Sequence, residues 1–183
     1  MLRASDERTP GMAMSAVPDA TEAAEYYFTY INQVPPGDIV ETLEEQTGRV
    51  LELARGISEE RSLHRYAPDK WSIRQVFNHI NDAERVFVHR AFWFARGYET
   101  ALPGFDQDVA VAAADPDARS WSSHVDEFRA VRAATVPFFQ HLSAEAWNRR
   151  GIASGNAFTV RALAYVTAGH VAHHLRILQE RYL

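Results

Sequence analysis

Residues 71–84 read W-S-I-R-Q-V-F-N-H-I-N-D-A-E and decide the fold, because they begin a long segment whose apolar residues recur every three or four positions. Ser72 stands three residues before Gln75, which is the spacing of a capping box. In that motif each side chain accepts a hydrogen bond from the other residue's backbone N–H at a helix start. The pattern predicts a helix from Ser72 to about Gly97, with His79 on the flank of its apolar stripe.

The same helical spacing recurs in three other long segments. They are 38–56, opened by the capping pair Asp38 and Glu41; 121–142; and 159–182, opened by Thr159. Pro137 predicts a kink or break in the second of them. A long crossover covers residues 98–117, and no alternating strand pattern appears. These features predict an all-α protein, an antiparallel four-helix bundle with one long crossover connection.

Shorter segments complete the chain. Helical turns are predicted at 22–33, 105–114 and 143–147, and residues 151–156 are predicted to form a loop. Residues 1–18 are polar and without any period, which predicts a disordered N-terminal tail. Because a length of 183 residues fits one domain, the bundle is assigned to residues 19–183.

Composition and charge narrow the function. The chain has no cysteine, which excludes a disulfide scaffold, a cysteine-ligated metal site and a thiol nucleophile of its own. A formal net charge of −5 predicts no nucleic-acid partner and no attraction to an anionic membrane. The N-terminus lacks the apolar core of a secretory signal, and no segment approaches the roughly 20 apolar residues of a spanning helix. We therefore expect a soluble, cytoplasmic protein.

Three of the eight histidines lie close together in the last helical segment. His170 and His174 are four residues apart and so share one helix face, whereas His173 is rotated toward solvent or a partner. Such a pair can bind one metal ion, although hydrogen-bonded structural histidines are the commoner meaning of this spacing alone. His79 adds a third candidate ligand, because a flank position in a bundle can face the groove between helices.

Three neutral imidazoles with one open position are the ligand set of a catalytic zinc site, and nickel or iron accepts the same ligands. Asp82, one turn after His79, is a candidate for orienting a ligand by a hydrogen bond, and a solvated helix residue is its simpler interpretation. His141 and Glu145 have the H-x-x-x-E spacing of a di-iron site, but Ser143 between them predicts a helix break. The other histidines lack helical partners and are predicted to be surface or hydrogen-bonded residues: His64, His89 and His124.

The motif at 71–84, together with L-P-G-F-D-Q-D at 102–108 and G-H-V-A-H-H-L at 169–175, resembles the DinB-like superfamily. Within it the sequence most resembles the YfiT-type metal-dependent proteins, which include bacillithiol transferases. The resemblance extends from Asp38 to Leu183 and implies a four-helix bundle, often a homodimer. It also implies a divalent ion, zinc or nickel, held by three histidines. The residues that match these ligands are His79, His170 and His174, and His173 is not a ligand in the pattern.

Three functions remain open. An ion with an open position can lower the pKa of bound water to about 7 or hold a thiol as its thiolate. Since the chain has no cysteine, the thiol would be a low-molecular-weight cofactor such as bacillithiol or mycothiol, and the resemblance favours its transfer to an electrophilic small molecule. Metal-assisted hydrolysis is the alternative enzymatic hypothesis. A non-catalytic, stress-related metal-binding bundle is the third.

Overall fold

The computed structural model describes residues 17–183, so all of the predicted tail except Val17 and Pro18 lies outside the described residues. The helices are α1 (Phe28–Ile31), α2 (Ile39–Arg55), α3 (Ile73–Ala95), α4 (Gln107–Ala114), α5 (Trp121–Gln140), α6 (Ala144–Asn148) and α7 (Val160–Ile177). Short 3-10 turns lie at Glu25–Tyr27, Arg61–Leu63 and Pro116–Ala118, and a π-helical turn at Leu178–Tyr182 extends α7. The strands are β1 (Arg150–Ala153) and β2 (Asn156–Thr159). The long helices α2, α3, α5 and α7 form the predicted bundle, and α4 lies in the predicted crossover.

Side-chain caps begin the four long helices. The Ser72 hydroxyl accepts from the backbone N–H of Gln75 at 3.1 Å, and the Gln75 side chain accepts from the backbone N–H of Ser72 at 2.9 Å. Asp38 caps α2, Ser120 caps α5 and Thr159 caps α7. A cap of this kind contributes about 0.5–2 kcal/mol, because it pairs a backbone donor that the helix itself leaves unpaired. The boundaries of these helices therefore follow from local sequence.

One prediction about local structure is wrong, and a second is wrong in part. Residues 151–156 are not a loop, because β1 and β2 pair as an antiparallel hairpin whose turn at 154–155 has positive φ angles. Strands of four residues are too short to show an alternating pattern. Gly151 packs on the Phe94 ring, where an added Cβ would lie 2.1 Å from a ring carbon. Of the kink or break predicted at Pro137, the break does not occur, since α5 continues three residues beyond this proline.

Helix α7 lies at the centre of the fold. From Val160 to Val171 each residue is buried apart from Arg161, which is partly exposed. A helix that is buried on all sides must be apolar or small all round, which explains its run of alanines and valines. Two apolar clusters pack along it, one that includes Leu163 and one that includes Val171. Among residues 17–183, no helix combines the length and apolar character needed to cross a bilayer.

Candidate metal centre

The three predicted ligands meet between α3 and α7. The Nε2 atoms of His79 and His170 are 2.9 Å apart, and those of His170 and His174 are 3.1 Å apart. The ligand atoms of all three rings lie within 4.8 Å of one another. His79 and His170 are each 4% exposed, and His174 is half-buried. The structure therefore brings together the residues that the sequence places 91 positions apart.

The hydrogen bonds of this cluster are incomplete without a ligand. A neutral imidazole nitrogen is either a donor or an acceptor, so the Nε2 of His170 can pair with His79 or with His174 but not with both. The Nδ1 of His79 is buried and has no hydrogen-bond partner among the described residues. Buried polar atoms without partners are rare in folded proteins, and this Nδ1, on the opposite edge of the ring from Nε2, marks a place for a water molecule rather than for an ion held by Nε2.

Burial keeps the three rings uncharged. It lowers the pKa of His79 to about 4 and, with the added effect of charge on His79 and His173, the pKa of His174 to about 3. Burial and the neighbouring histidines also hold the pKa of His170 well below its ordinary value of 6.5. All three rings are therefore neutral at pH 7, which is the form of histidine that binds metal.

The donor set fits a divalent transition-metal ion. A zinc–nitrogen distance of about 2.0–2.1 Å in tetrahedral geometry separates neighbouring nitrogens by about 3.3 Å. The two short Nε2 separations are close to that value. Three imidazoles leave one position of a tetrahedral site for another ligand, and zinc, nickel and iron all accept imidazole.

Aromatic rings enclose the histidines on several sides. The ring centroid of Trp71 lies 5.2 Å from that of His79, and the centroids of Phe87 and Tyr30 lie 5.5 Å and 5.3 Å from that of His170. A cavity of about 280 Å³ opens beside His174. Its other lining residues are Tyr66, Asp69, Lys70, Trp71, Val76, Gln107, Asp108, Ile177 and Tyr182. Access to the cluster is therefore on the side of its most exposed ligand.

Asp82 and His173 lie near the cluster without joining it. The Asp82 carboxylate accepts from Asn78 at 2.7 Å and from Arg85 at 3.3 Å, and it makes no hydrogen bond to His79. Burial raises the pKa of Asp82. His173 is half-buried, and its Nδ1 lies 3.4 Å from the Nε2 of Gln33. The structure thus gives Asp82 partners other than the candidate ligands.

Most of the other histidines are placed as the sequence predicts. His141 follows the end of α5 and Glu145 lies in α6, where it pairs with Arg149 at 2.9 Å, so the H-x-x-x-E pair straddles a helix break. His124 is fully buried and its Nε2 lies 2.9 Å from the carbonyl oxygen of Pro116. His64 is half-buried and His89 is exposed.

Sequence reasoning missed a second buried polar cluster, the pair formed by Arg132 of α5 and Glu84 of α3. Their side chains are 1% and 2% exposed and make two parallel hydrogen bonds, at 2.9 Å and 2.8 Å. The available signal was their position, because Glu84 continues the apolar stripe of Phe77 and Ile80, and Arg132 follows Phe128 by one turn. A charged residue in an apolar stripe indicates a buried partner.

Comparison with known proteins bears on the family and on the fold of this chain. Residues 42–178 match the DinB superfamily. The fold is similar to that of YfiT from Bacillus subtilis, described as a probable metal-dependent hydrolase with an unusual four-helix bundle topology. The TM-score is 0.66 with 16% sequence identity over 91% of each chain, and no curated protein matches the sequence. At 16% identity the similarity to YfiT concerns the fold alone. The match to the DinB superfamily is a sequence match and covers most of the chain. The chain belongs to the DinB superfamily.

Proposed function

We propose that this chain is a metal-dependent enzyme whose divalent ion, zinc or nickel, is held by His79, His170 and His174. The observation that carries the proposal is the convergence of three uncharged imidazoles, two buried and one half-buried, whose Nε2 atoms cannot all be paired with one another. The ion would act as a Lewis acid at its open position. The homodimer implied by the family resemblance stays a prediction.

The chain's own residues would bind the substrate and exclude water. The rings of Trp71, Phe87 and Tyr30 cover the histidines, so the cavity beside His174 is the route by which a small molecule reaches them. Trp71 borders both His79 and this cavity, and so offers an apolar face to a bound substrate. Lys70, the one lysine of the chain, lines the same cavity.

Thiol transfer is the reaction that we favour. The reacting sulfur would come from a low-molecular-weight thiol such as bacillithiol or mycothiol, because the chain has no cysteine. An ordinary thiol has a pKa of about 8.5, against about 15.7 for water, so it needs less help from a protein base. Asp82, the carboxylate nearest to a ligand in sequence, bonds Asn78 and Arg85 instead of the histidines.

Hydrolysis is the second candidate, and two observations favour it. The structural neighbour YfiT is described as a probable metal-dependent hydrolase. In addition, the carboxylates of Asp69 and Asp108 line the cavity beside His174 and offer candidate proton acceptors for a water molecule.

A conjugation assay tests the proposal. Metal-loaded and metal-stripped protein would be supplied with a chloro-aromatic or epoxide electrophile and several thiols, with His174→Ala as the inactive variant and His173→Ala as its matched control. Thiol transfer predicts turnover that needs both metal and thiol. Ester or amide hydrolysis at equal rates with and without thiol would select the hydrolase, and no metal-dependent turnover would select a non-catalytic metal-binding bundle.

Metal removal separates a catalytic ion from a structural one. Because both apolar clusters are formed by residues other than the three histidines, we expect the chelated protein to stay folded. Thermal unfolding followed by circular dichroism should show a cooperative transition with and without metal. Loss of the transition on chelation would identify the ion as structural, since such ions supply folding free energy.

A further inference from the structure

The short helix α1 lies against the candidate metal centre, outside the residues 42–178 that match the superfamily. The ring of Tyr30 stands edge-on to His170 with its centroid 5.3 Å away, and edge-on to His173 at 5.4 Å. One side chain of α1 thus contacts both a proposed ligand and the neighbouring histidine that the ligand set leaves out.

Gly169 allows this close approach. A Cβ atom at Gly169 would lie 2.1 Å from the carbonyl oxygen of Tyr30 and 2.5 Å from its carbonyl carbon. Backbone atoms cannot give way as a flexible side chain can, so α1 reaches this position only against a glycine. Because Gly169 directly precedes His170, the backbone contact fixes α1 at the level of a proposed ligand.

Contacts other than those with the histidines also hold α1 in place. Ile31 is fully buried in an apolar cluster. The hydroxyl groups of Tyr30 and Tyr26 are 2.9 Å apart, and Gln33 donates to the carbonyl oxygen of Thr29 at 2.7 Å. Helix α1 is therefore held in place, chiefly by Ile31, independently of the imidazoles that the Tyr30 ring touches.

We propose that α1 is part of the metal centre and that Tyr30 is a positioning residue, which holds the His170 ring toward His79 and keeps His173 out of the ligand set. The inference rests on the proposed metal binding. His170 and His173 lie three residues apart on α7, so their rings are neighbours on the helix surface. Tyr30 packs against both rings and so restricts the orientations that each can adopt. Replacing a residue that orients a metal ligand typically lowers metal affinity by about 10–100-fold.

Titration of the metal-free protein with cobalt(II) tests this role, because the visible spectrum of bound cobalt reports the ligands and their geometry. Tyr30→Leu removes the aromatic edge and keeps an apolar side chain of useful size, and Tyr30→Ala removes both. We expect about 10–100-fold weaker cobalt binding and a changed spectrum at saturating metal for both variants. Tyr30→Phe and Tyr26→Phe each remove the hydroxyl pair and keep both rings, so they are the matched controls and should bind within about threefold of the unmodified protein.

Imidazole resonances of the metal-free protein provide a readout that needs no metal. The Tyr30 ring should shift the ring-proton signals of His170 and His173, and Tyr30→Leu should move both signals while those of His89 and His141 stay in place. Unchanged imidazole signals in Tyr30→Leu, or cobalt affinity and spectra equal to those of the unmodified protein, would overturn the positioning role alone. Failure of the unmodified protein to bind cobalt, zinc or nickel would instead overturn the proposed function, and with it the part of α1 in a metal centre.

Discussion

Two polar clusters are buried between the helices of this bundle, and they differ in how completely their hydrogen bonds are made. Arg132 makes two hydrogen bonds to Glu84 and two more at 2.8 Å and 3.1 Å, to the carbonyl oxygen of Leu43 and the side chain of Gln46. Gln46 in turn donates to the carbonyl oxygen of Ala168 at 2.8 Å. This network joins all four long helices. The Arg132 guanidinium, the Glu84 carboxylate and the Gln46 amide each have hydrogen-bond partners in it.

The histidine cluster has the opposite character. Its three rings share two Nε2 contacts that cannot both be hydrogen bonds, and the Nδ1 of His79 has no partner among the described residues. A buried network that is fully paired stabilises one arrangement of helices, whereas one that is partly paired costs free energy unless a ligand completes it. This difference supports a role in stability for the Arg132–Glu84 network and agrees with the metal binding that we propose for the histidine cluster.

Replacing a proposed ligand should have the largest effect and should act on binding. His170→Ala removes the imidazole that contacts both of the others, so we expect metal affinity to fall by more than about a hundredfold. The free energy of unfolding of the metal-free protein should change little, because a poorly paired polar ring is lost. Elemental analysis and urea unfolding measure the two quantities. His173→Ala is the control, and full metal occupancy in His170→Ala would remove the distinction between the clusters.

Breaking the Arg132–Glu84 pair should act on stability instead. Arg132→Met leaves the Glu84 carboxylate buried without its partner, and we expect a loss of about 3–5 kcal/mol in the free energy of unfolding. Urea denaturation measures this loss. The double variant Arg132→Met/Glu84→Leu should recover most of it, since no unpaired charge remains. If Arg132→Met alone is as stable as the unmodified protein, the network does not contribute to the free energy of unfolding.

A second buried carboxylate, Glu22, extends the comparison to pH and has the smallest expected effect. Burial alone would raise the pKa of Glu22, but hydrogen bonds from Arg161 and Thr159 outweigh it and hold the pKa below the ordinary value of 4.5. A carboxyl group with a lowered folded-state pKa stabilises the fold above its unfolded-state pKa. This contribution is lost as the pH falls from about 4.5 through the lower folded-state pKa.

The variant Glu22→Gln isolates this contribution. We expect it to lower the free energy of unfolding by about 1 kcal/mol at pH 7 and to change less than the unmodified protein between pH 6 and pH 3. Urea denaturation over that range measures both slopes. Parallel pH dependence in the two proteins would mean that Glu22 carries no part of the acid sensitivity.

Local signals were sufficient to predict most of the fold. The capping box at Ser72 and the caps at Asp38 and Thr159 use groups within three residues of one another, so a sequence reader sees both partners. The hairpin was missed for the opposite reason. Its strands are short, and Gly151 is explained by the distant ring of Phe94.

Some residues of the candidate site are likewise predictable from local sequence, and others are not. The i, i+4 spacing of His170 and His174 predicts their shared face, the flank position of His79 makes it the third candidate, and the resemblance implies the same three ligands. The position of Tyr30 could not be predicted, because it depends on how α1 packs against Gly169, far away in the sequence. The Arg132–Glu84 pair was also missed, since charged side chains are usually exposed and no local pattern joins α3 to α5.

The burial of α7 on all sides has a consequence for how the protein is made. The ribosome synthesises α2, α3 and α5 before α7, although α7 is the helix on which the apolar clusters are built. These three helices therefore leave the exit tunnel with apolar faces that α7 does not yet cover, the state in which nascent chains aggregate or engage chaperones. Packing of these faces, and with it the metal binding that we propose, must wait until α7 has emerged, so the bundle can fold only after this helix has been synthesised.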